Sequence, residues 1–155
     1  MHYQLDTCGQ LDDAPVGLAF LKSVASVDPK RIAVVGHSFG GMLSLLSSDH
    51  DPTIRAEVTF GAGANSWHAS QELRLRILAS VDNTSAPSCC STPLTLGHRR
   101  APKSPAELDR LHKPHLLKIY PAVGKTSDDG HNLLYLAIPE WEPDVFQFLE
   151  ANVKH

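Results

Sequence analysis

A serine with a glycine two residues to either side, Gly36-His37-Ser38-Phe39-Gly40, has the residue types and spacing that covalent acyl chemistry needs. A serine hydroxyl is a weak nucleophile at neutral pH, so a histidine must take its proton and a carboxylate must orient that histidine. The glycines matter because a serine projecting from a sharp strand-to-helix turn has a strained backbone that tolerates only small neighbours. The alternative is a glycine-rich turn in which the serine is incidental. Nine histidines are available as the base. His131, in Asp128-Asp129-Gly130-His131, is the best placed, in a polar loop from which a side chain can reach back over the strand ends. The competing reading of His131 is an exposed loop histidine. His37 reads as a packed elbow residue bordering a pocket, because neighbours on a strand point to opposite faces. Trp67 suits either the wall of an acyl or leaving-group pocket or an aromatic packed under a loop.

Elements that would position these groups are visible on both sides of the serine. Asp12, Asp13 and Pro15 make a helix start, and Val16, Phe20, Val24 and Val27 follow at helical spacing, predicting an apolar face laid on the body of the protein. Ile32-Ala33-Val34-Val35 is a largely β-branched run without alternation, suited to a parallel strand buried on both faces, and Met42 to Leu46 reads as the helix leaving the turn. Ala56 to Phe60 is a second strand, followed by a helix near Glu72 to Val81 with Leu73 and Ile77 on one side. Ser104-Pro105-Ala106-Glu107 is a capping box opening a short helix through Leu108 and Leu111. His115 to Tyr120 is a third strand, Pro121 to Asn132 a polar loop, and Pro143 opens a last helix with Val145, Phe146, Leu149 and Val153 inward. The rhythm predicts an α/β fold, a mostly parallel sheet with helices on both faces. Asn83 to Arg100 breaks it with Ser, Thr, Cys, Pro and Arg where apolar residues belong, and no strand is assigned there.

Composition narrows the function classes. With 155 residues, 42% hydrophobic, 20% charged and a net charge of -3, residues 1–155 predict one soluble globular domain. Charges of both signs are scattered, so nucleic acid and anionic membranes are excluded as expected partners. Three cysteines, two of them the adjacent Cys89 and Cys90, make no disulfide framework and point to a reducing cytoplasmic setting. His98, His112 and His115 with the cysteines match no zinc-ligand spacing, so no metal is expected.

The run Val27-Asp28-Pro29-Lys30-Arg31-Ile32-Ala33-Val34-Val35-Gly36-His37-Ser38-Phe39-Gly40-Gly41, the stretch Lys113 to Pro121 and the pair Gly130-His131 resemble the α/β-hydrolase superfamily. Within it the likeness is to dienelactone-hydrolase-like and prolyl-oligopeptidase-like serine hydrolases, from Leu11 to Leu149 apart from the odd segment. The resemblance implies that Ser38 is the nucleophile, His131 the general base and the Phe39 N–H one half of an oxyanion hole. It also implies that Gly36 and Gly40 shape the elbow, that the substrate is a small acyl compound or carboxylic ester, and that no cofactor is required. Dienelactone hydrolases proper carry cysteine at the elbow, so Ser38 points toward the esterase and peptidase relatives.

Two departures from the family pattern are legible. The elbow follows the first strand here but the fifth in the superfamily, so earlier strands and the second oxyanion donor are missing. The domain is therefore expected to be partial, its sheet edge covered by a second copy or by a preceding segment. The triad acid belongs after a strand between the elbow and His131, yet Ser88 to Ser104 contains no Asp or Glu. Asp82 comes too early, Asp109 lies in the capped helix, and Asp128 and Asp129 stand too near His131 in sequence. Since the spacing from Ala86 to Glu107 suits strand, loop and helix while the composition does not, a compensated frameshift of this segment is the expected cause. The alternative function is an impaired hydrolase remnant or a partner-binding pseudoenzyme.

Overall fold

The computed structural model describes residues 7–62, 71–93 and 103–154. Four strands, β1 (Ala33–His37), β2 (Ala56–Phe60), β3 (Ser88–Pro93) and β4 (His115–Tyr120), form one parallel sheet in the order β1-β2-β3-β4. The register sets His37 opposite Phe60, Phe60 opposite Ser91, and Ser91 opposite Lys118, so the C-terminal ends of the strands share one rim. Helices α1 (Thr7–Ser23), α2 (Phe39–His50), α3 (Gln71–Asn83), α4 (Lys103–Arg110), α5 (Ser127–His131), α6 (Leu133–Leu136) and α7 (Ile138–Val153) connect and follow them.

The two faces of the sheet separate at neighbouring residues, as strand alternation requires. Val58, Phe60 and Cys89 pack with Leu133 of α6, Val145 of α7 and Ala137 between those helices, and Trp141 stands edge-on to Phe60 at 4.9 Å. Cys90, one residue on, packs on the other face with Leu45, Val81 and Leu108 of α2, α3 and α4. Met42, Leu73 and Ile77 form a further cluster between α2 and α3, the face that the spacing of Leu73 and Ile77 predicts. All five residues of β2 are buried, Glu57 among them, because this strand is paired on both edges and covered on both faces. No helix among the described residues is long and apolar enough to cross a membrane.

Several expectations are corrected. The segment assigned no strand contains β3, paired with β2 and β4, with Ser88 and Cys89 at 0% and Cys90 at 6% exposure. Two flanking strands whose backbone groups would otherwise be orphaned override the weak strand propensity of Ser-Cys-Cys-Ser-Thr. The apolar face of α1 does not lie on the body of the protein: Val16 and Phe20 are 69% and 71% exposed. Pro15 lies inside α1 rather than opening it, and α7 begins at Ile138, with Pro139 in its first turn, so that Pro143 is interior. Phe146 faces outward, and Phe148 takes its place in the core. His131 is not in an open loop, because residues 127–131 coil into α5.

Candidate active site

Ser38 sits between β1 and α2 with φ 56 and ψ -115, a backbone conformation that side-chain-bearing residues rarely adopt. Its N–H donates to the Phe60 carbonyl at 2.8 Å, extending the pairing between β1 and β2 by one residue into the turn. Serine at the first position before a helix ordinarily caps it, accepting from an amide of the first turn and adding about 1 kcal/mol. Ser38 makes no such bond, so its hydroxyl is withheld from the structural use its position offers. The Phe39 N–H belongs to the first turn of α2, where backbone donors have no acceptor within the helix.

Steric demand at this turn falls on particular glycines. A Cβ on Gly36 would lie 2.1 Å from the Gly40 carbonyl oxygen, and one on Gly41 would lie 2.8 Å from the Ala62 Cβ. Gly40 is different, since a Cβ there meets nothing within 4 Å among the described residues. The close packing of this elbow therefore depends on Gly36 and Gly41 rather than on the Gly36 and Gly40 pair that the motif emphasises.

His131 reaches the same rim from the other side of the chain. Its helix α5 is fixed at its start by a reciprocal cap, in which Asp129 N–H donates to Thr126 Oγ1 and the Asp129 carboxylate accepts from the Lys125 and Thr126 amides at 2.8 and 2.9 Å. Those amides hold the Asp129 carboxyl below its ordinary range, and they commit it to the cap rather than to the histidine. Gly124, at φ 65, passes so close to Asp129 that a Cβ would overlap it at 2.3 Å. The imidazole of His131 lies over Gly61, which follows β2 at φ 56, and its Nδ1 is 3.3 Å from where a Cβ on that glycine would stand. On its other side is His37, with ring centroids 4.7 Å apart and planes at 42°. The His37 Nε2 donates to the main-chain carbonyl of His131 at 2.7 Å, and Tyr135 stands edge-on to His37 at 5.4 Å.

The structure thus brings Ser38, His37, Gly61 and His131 to one rim. No hydrogen bond joins Ser38 Oγ to His131 among the described residues, and no carboxylate there is hydrogen-bonded to the imidazole. Partial burial and the neighbouring His37 push the His131 pKa down, while Asp128 on the same helix pulls it up. Asp82 pairs with Arg110 at 3.6 Å, Asp109 with His115 at 3.5 Å, and Asp144 with Lys118 at 2.8 Å, so these acids serve elsewhere. Trp67 lies outside the described residues, as does the stretch 94–102 after β3. Burial pushes the Cys90 thiol up to about 12, which makes it a packing residue rather than a nucleophile or ligand. Gly61 and Gly41 were not singled out by sequence; their signal was a glycine directly after a buried strand and the second of a glycine pair.

An in-order parallel sheet between two helical layers, with a positive-φ serine at a strand-to-helix turn, defines an α/β-hydrolase fold. The chain belongs to the dienelactone hydrolase family, whose sequence profile matches residues 5–124. None of the curated proteins matches it. Among solved structures it is similar to an acylaminoacyl peptidase of Pyrococcus horikoshii, with 16% identity and a TM-score of 0.69 over 93% of this chain and 28% of that one. It is also similar to an esterase of Pyrococcus furiosus, with 15% identity and a TM-score of 0.69 over 93% of this chain and 62% of that one. An acetyl xylan esterase of Paenibacillus sp. R4 shares 19% identity and a TM-score of 0.63 over 92% of this chain and 52% of its own. The chain therefore spans about a quarter to three-fifths of the length of these structures.

Proposed function

We propose that the chain is a serine hydrolase cleaving carboxylic esters or similar small acyl bonds through an acyl-enzyme on Ser38. The observation that carries this reading is the Ser38 backbone at φ 56 with a hydroxyl that caps nothing. Strain of this kind costs about 1–3 kcal/mol and persists where it presents a side chain for use. In the acylation step Ser38 Oγ bonds to the substrate carbonyl carbon while its proton passes to His131 Nε2. The carbonyl oxygen, now negative, is held by the Phe39 N–H. The carbon–oxygen bond to the alcohol then breaks, and His131 returns the proton to the leaving oxygen. Water repeats the sequence to free the acid. His37 borders this site, no cofactor takes part, and the setting is cytoplasmic. β1 and β4 are sheet edges, with Val35 and Ile119 52% and 53% exposed, and a second copy or a preceding segment over β1 would complete the sheet.

One observation favours a second reading, a catalytically impaired remnant that serves as a partner-binding protein. No acid stands between Ser88 and Ser104, and loss of tautomer control by the missing carboxylate costs about 10⁴ in turnover in the serine-protease case. Labelling of the purified chain with a fluorophosphonate, which needs an activated serine but no known substrate, separates the two. Labelling that disappears in both Ser38→Ala and His131→Ala supports the hydrolase. A folded, monodisperse chain that does not label supports the remnant.

A further inference from the structure

We propose that His37 is the positioning residue of this site: by donating its Nε2–H to the main-chain carbonyl of His131, it ties the helix that carries the base to the strand that carries the nucleophile. This rests on the serine hydrolase reading for its catalytic meaning, though the tether itself can be tested separately.

The geometry explains why such a tie is needed. Helix α5 has five residues, far below the length at which a helix holds itself together, so its placement depends on what it touches. Its cap at Thr126 and Asp129 fixes its beginning, whereas His131 is at its end. Carbonyls at a helix C-terminus have no amide partner within the helix. The His131 carbonyl is such a group, and the His37 ring satisfies it at 2.7 Å. A carbonyl only accepts, so His37 must carry its proton on Nε2. Tyr135 packs edge-on against the His37 ring at 5.4 Å and steadies its rotamer. His37 is also bonded through the backbone to Ser38, so a single side chain links the two halves of the site. Reaction rates fall steeply with misplacement, about 10²-fold for 1 Å, which is why a tether remote from the reacting atoms governs turnover.

The test compares His37→Leu, which lacks the donor, with His37→Gln, which keeps an N–H able to reach the carbonyl. Each is followed by the rate of fluorophosphonate labelling across pH and by NMR titration of the His131 ring in the full chain. His37→Leu is expected to label roughly ten- to a hundredfold more slowly than the parent, and His37→Gln to recover most of that loss. Among the described residues, the groups bearing on the His131 charge are His37 from β1 and Asp128 from α5, while Tyr135 of α6 faces His37. Both variants remove the His37 ring that lowers the His131 pKa, so the His131 titration moves to higher pH in each, and in the glutamine variant this shift comes with recovered labelling. A purely structural role for the ring would not produce that shift together with recovered labelling.

Equal labelling by parent, Leu and Gln variants overturns the tether, and so does equal loss in two variants that remain folded. Should the leucine variant not fold, His37→Asn takes its place, its amide being too short to reach. If the parent itself does not label, the hydrolase reading fails, and the NMR signal decides the tether alone. Compared at a pH above the His131 titration, where ring charge no longer contributes, displaced His131 backbone resonances in the leucine variant with parent-like ones in the glutamine variant uphold the tether. An unmoved signal refutes it.

Discussion

Glu57 offers a direct test of how the core is built. It sits on β2 at 1% exposure, with Oε1 accepting from Ser88 Oγ at 2.6 Å and Oε2 without a hydrogen-bond partner among the described residues. Burial raises its pKa, and the hydroxyls of Ser88 and Ser48 and the charge of Lys113 only partly offset this. The ammonium of Lys113 is held at carbonyls, including that of Thr84 at 2.6 Å. Because the folded-state pKa lies above the unfolded one, the folded chain keeps a proton that the unfolded chain releases. The stability from this carboxyl is complete below the unfolded pKa and is lost as pH rises toward the folded one. Over that interval one proton is worth about 1.4 kcal/mol per pH unit. Glu57→Gln keeps the size and the acceptor for Ser88 but does not titrate. Urea unfolding followed by the fluorescence of core Trp141, at several pH values from 4.5 upward, should show the variant gaining on the parent by about 1.4 kcal/mol for each unit over the same interval. Asp129, held down by the Lys125 and Thr126 amides, and Asp144, held down by Lys118, give an opposite dependence at acid pH. They are present in both chains and cancel in the difference. Stability curves that run parallel within about 0.5 kcal/mol would refute a buried, proton-retaining Glu57.

Gly61→Ala places a Cβ at φ 56 and 3.3 Å from His131 Nδ1, so it should lower stability by about 1–2 kcal/mol and slow fluorophosphonate labelling; a chain unchanged in both melting and labelling contradicts the seat described for the imidazole. Gly36→Ala, whose Cβ meets the Gly40 carbonyl oxygen at 2.1 Å, should fail to give folded protein at all, judged by circular dichroism and solubility. Cys89 and Cys90 are buried, and the Cys90 thiol is pushed up to about 12, so peptide mass spectrometry after brief alkylation at pH 8 should find both unmodified until urea is added. Rapid modification of the native chain would mean that β3 is not an interior strand. Finally, the gene read from the third base of codon 88 should encode Leu, Met or Val, then Leu, then Leu or Phe, with an Asp codon shortly after. A stop codon or the absence of Asp in that frame ends the frameshift explanation.

Residues whose own chemistry matched their setting were legible in the sequence. The β-branched run before Gly36, the strand Ala56–Phe60 and the Leu73 and Ile77 face of α3 have local preference and tertiary burial in agreement. β3 was not legible, because Ser-Cys-Cys-Ser-Thr states no strand preference and its conformation is imposed by partners distant in the chain. The apolar spacing of α1 correctly signals a helix, yet periodicity says nothing about whether a partner for Val16 and Phe20 exists within the same chain. The start of α5 was hidden because its cap pairs Thr126 with Asp129, one carbon shorter than the familiar glutamate, and places Gly130 inside the helix. Strand alternation assigns His37 to packing rather than to the role of base. It did not show that the face His37 occupies is the one from which His131 approaches.

The sheet's spatial order is also the order of synthesis, and this bears on how the chain assembles. Each new strand finds its edge already formed by the strand made before it, so no pairing has to wait for a segment still to be translated. Such nearest-neighbour stacking keeps contacts comparatively local and favours orderly growth over misassembly. The elbow at Ser38 takes its shape once β1, α2 and β2 are in place, since its amide bond to Phe60 and the Gly41 contact with Ala62 need nothing later. His131 is separated from His37 by 94 positions in the chain, and its carbonyl docks on a His37 ring already held by β1. The rim is thus completed late, and a nascent chain carries the shaped turn at Ser38 before α5 reaches it.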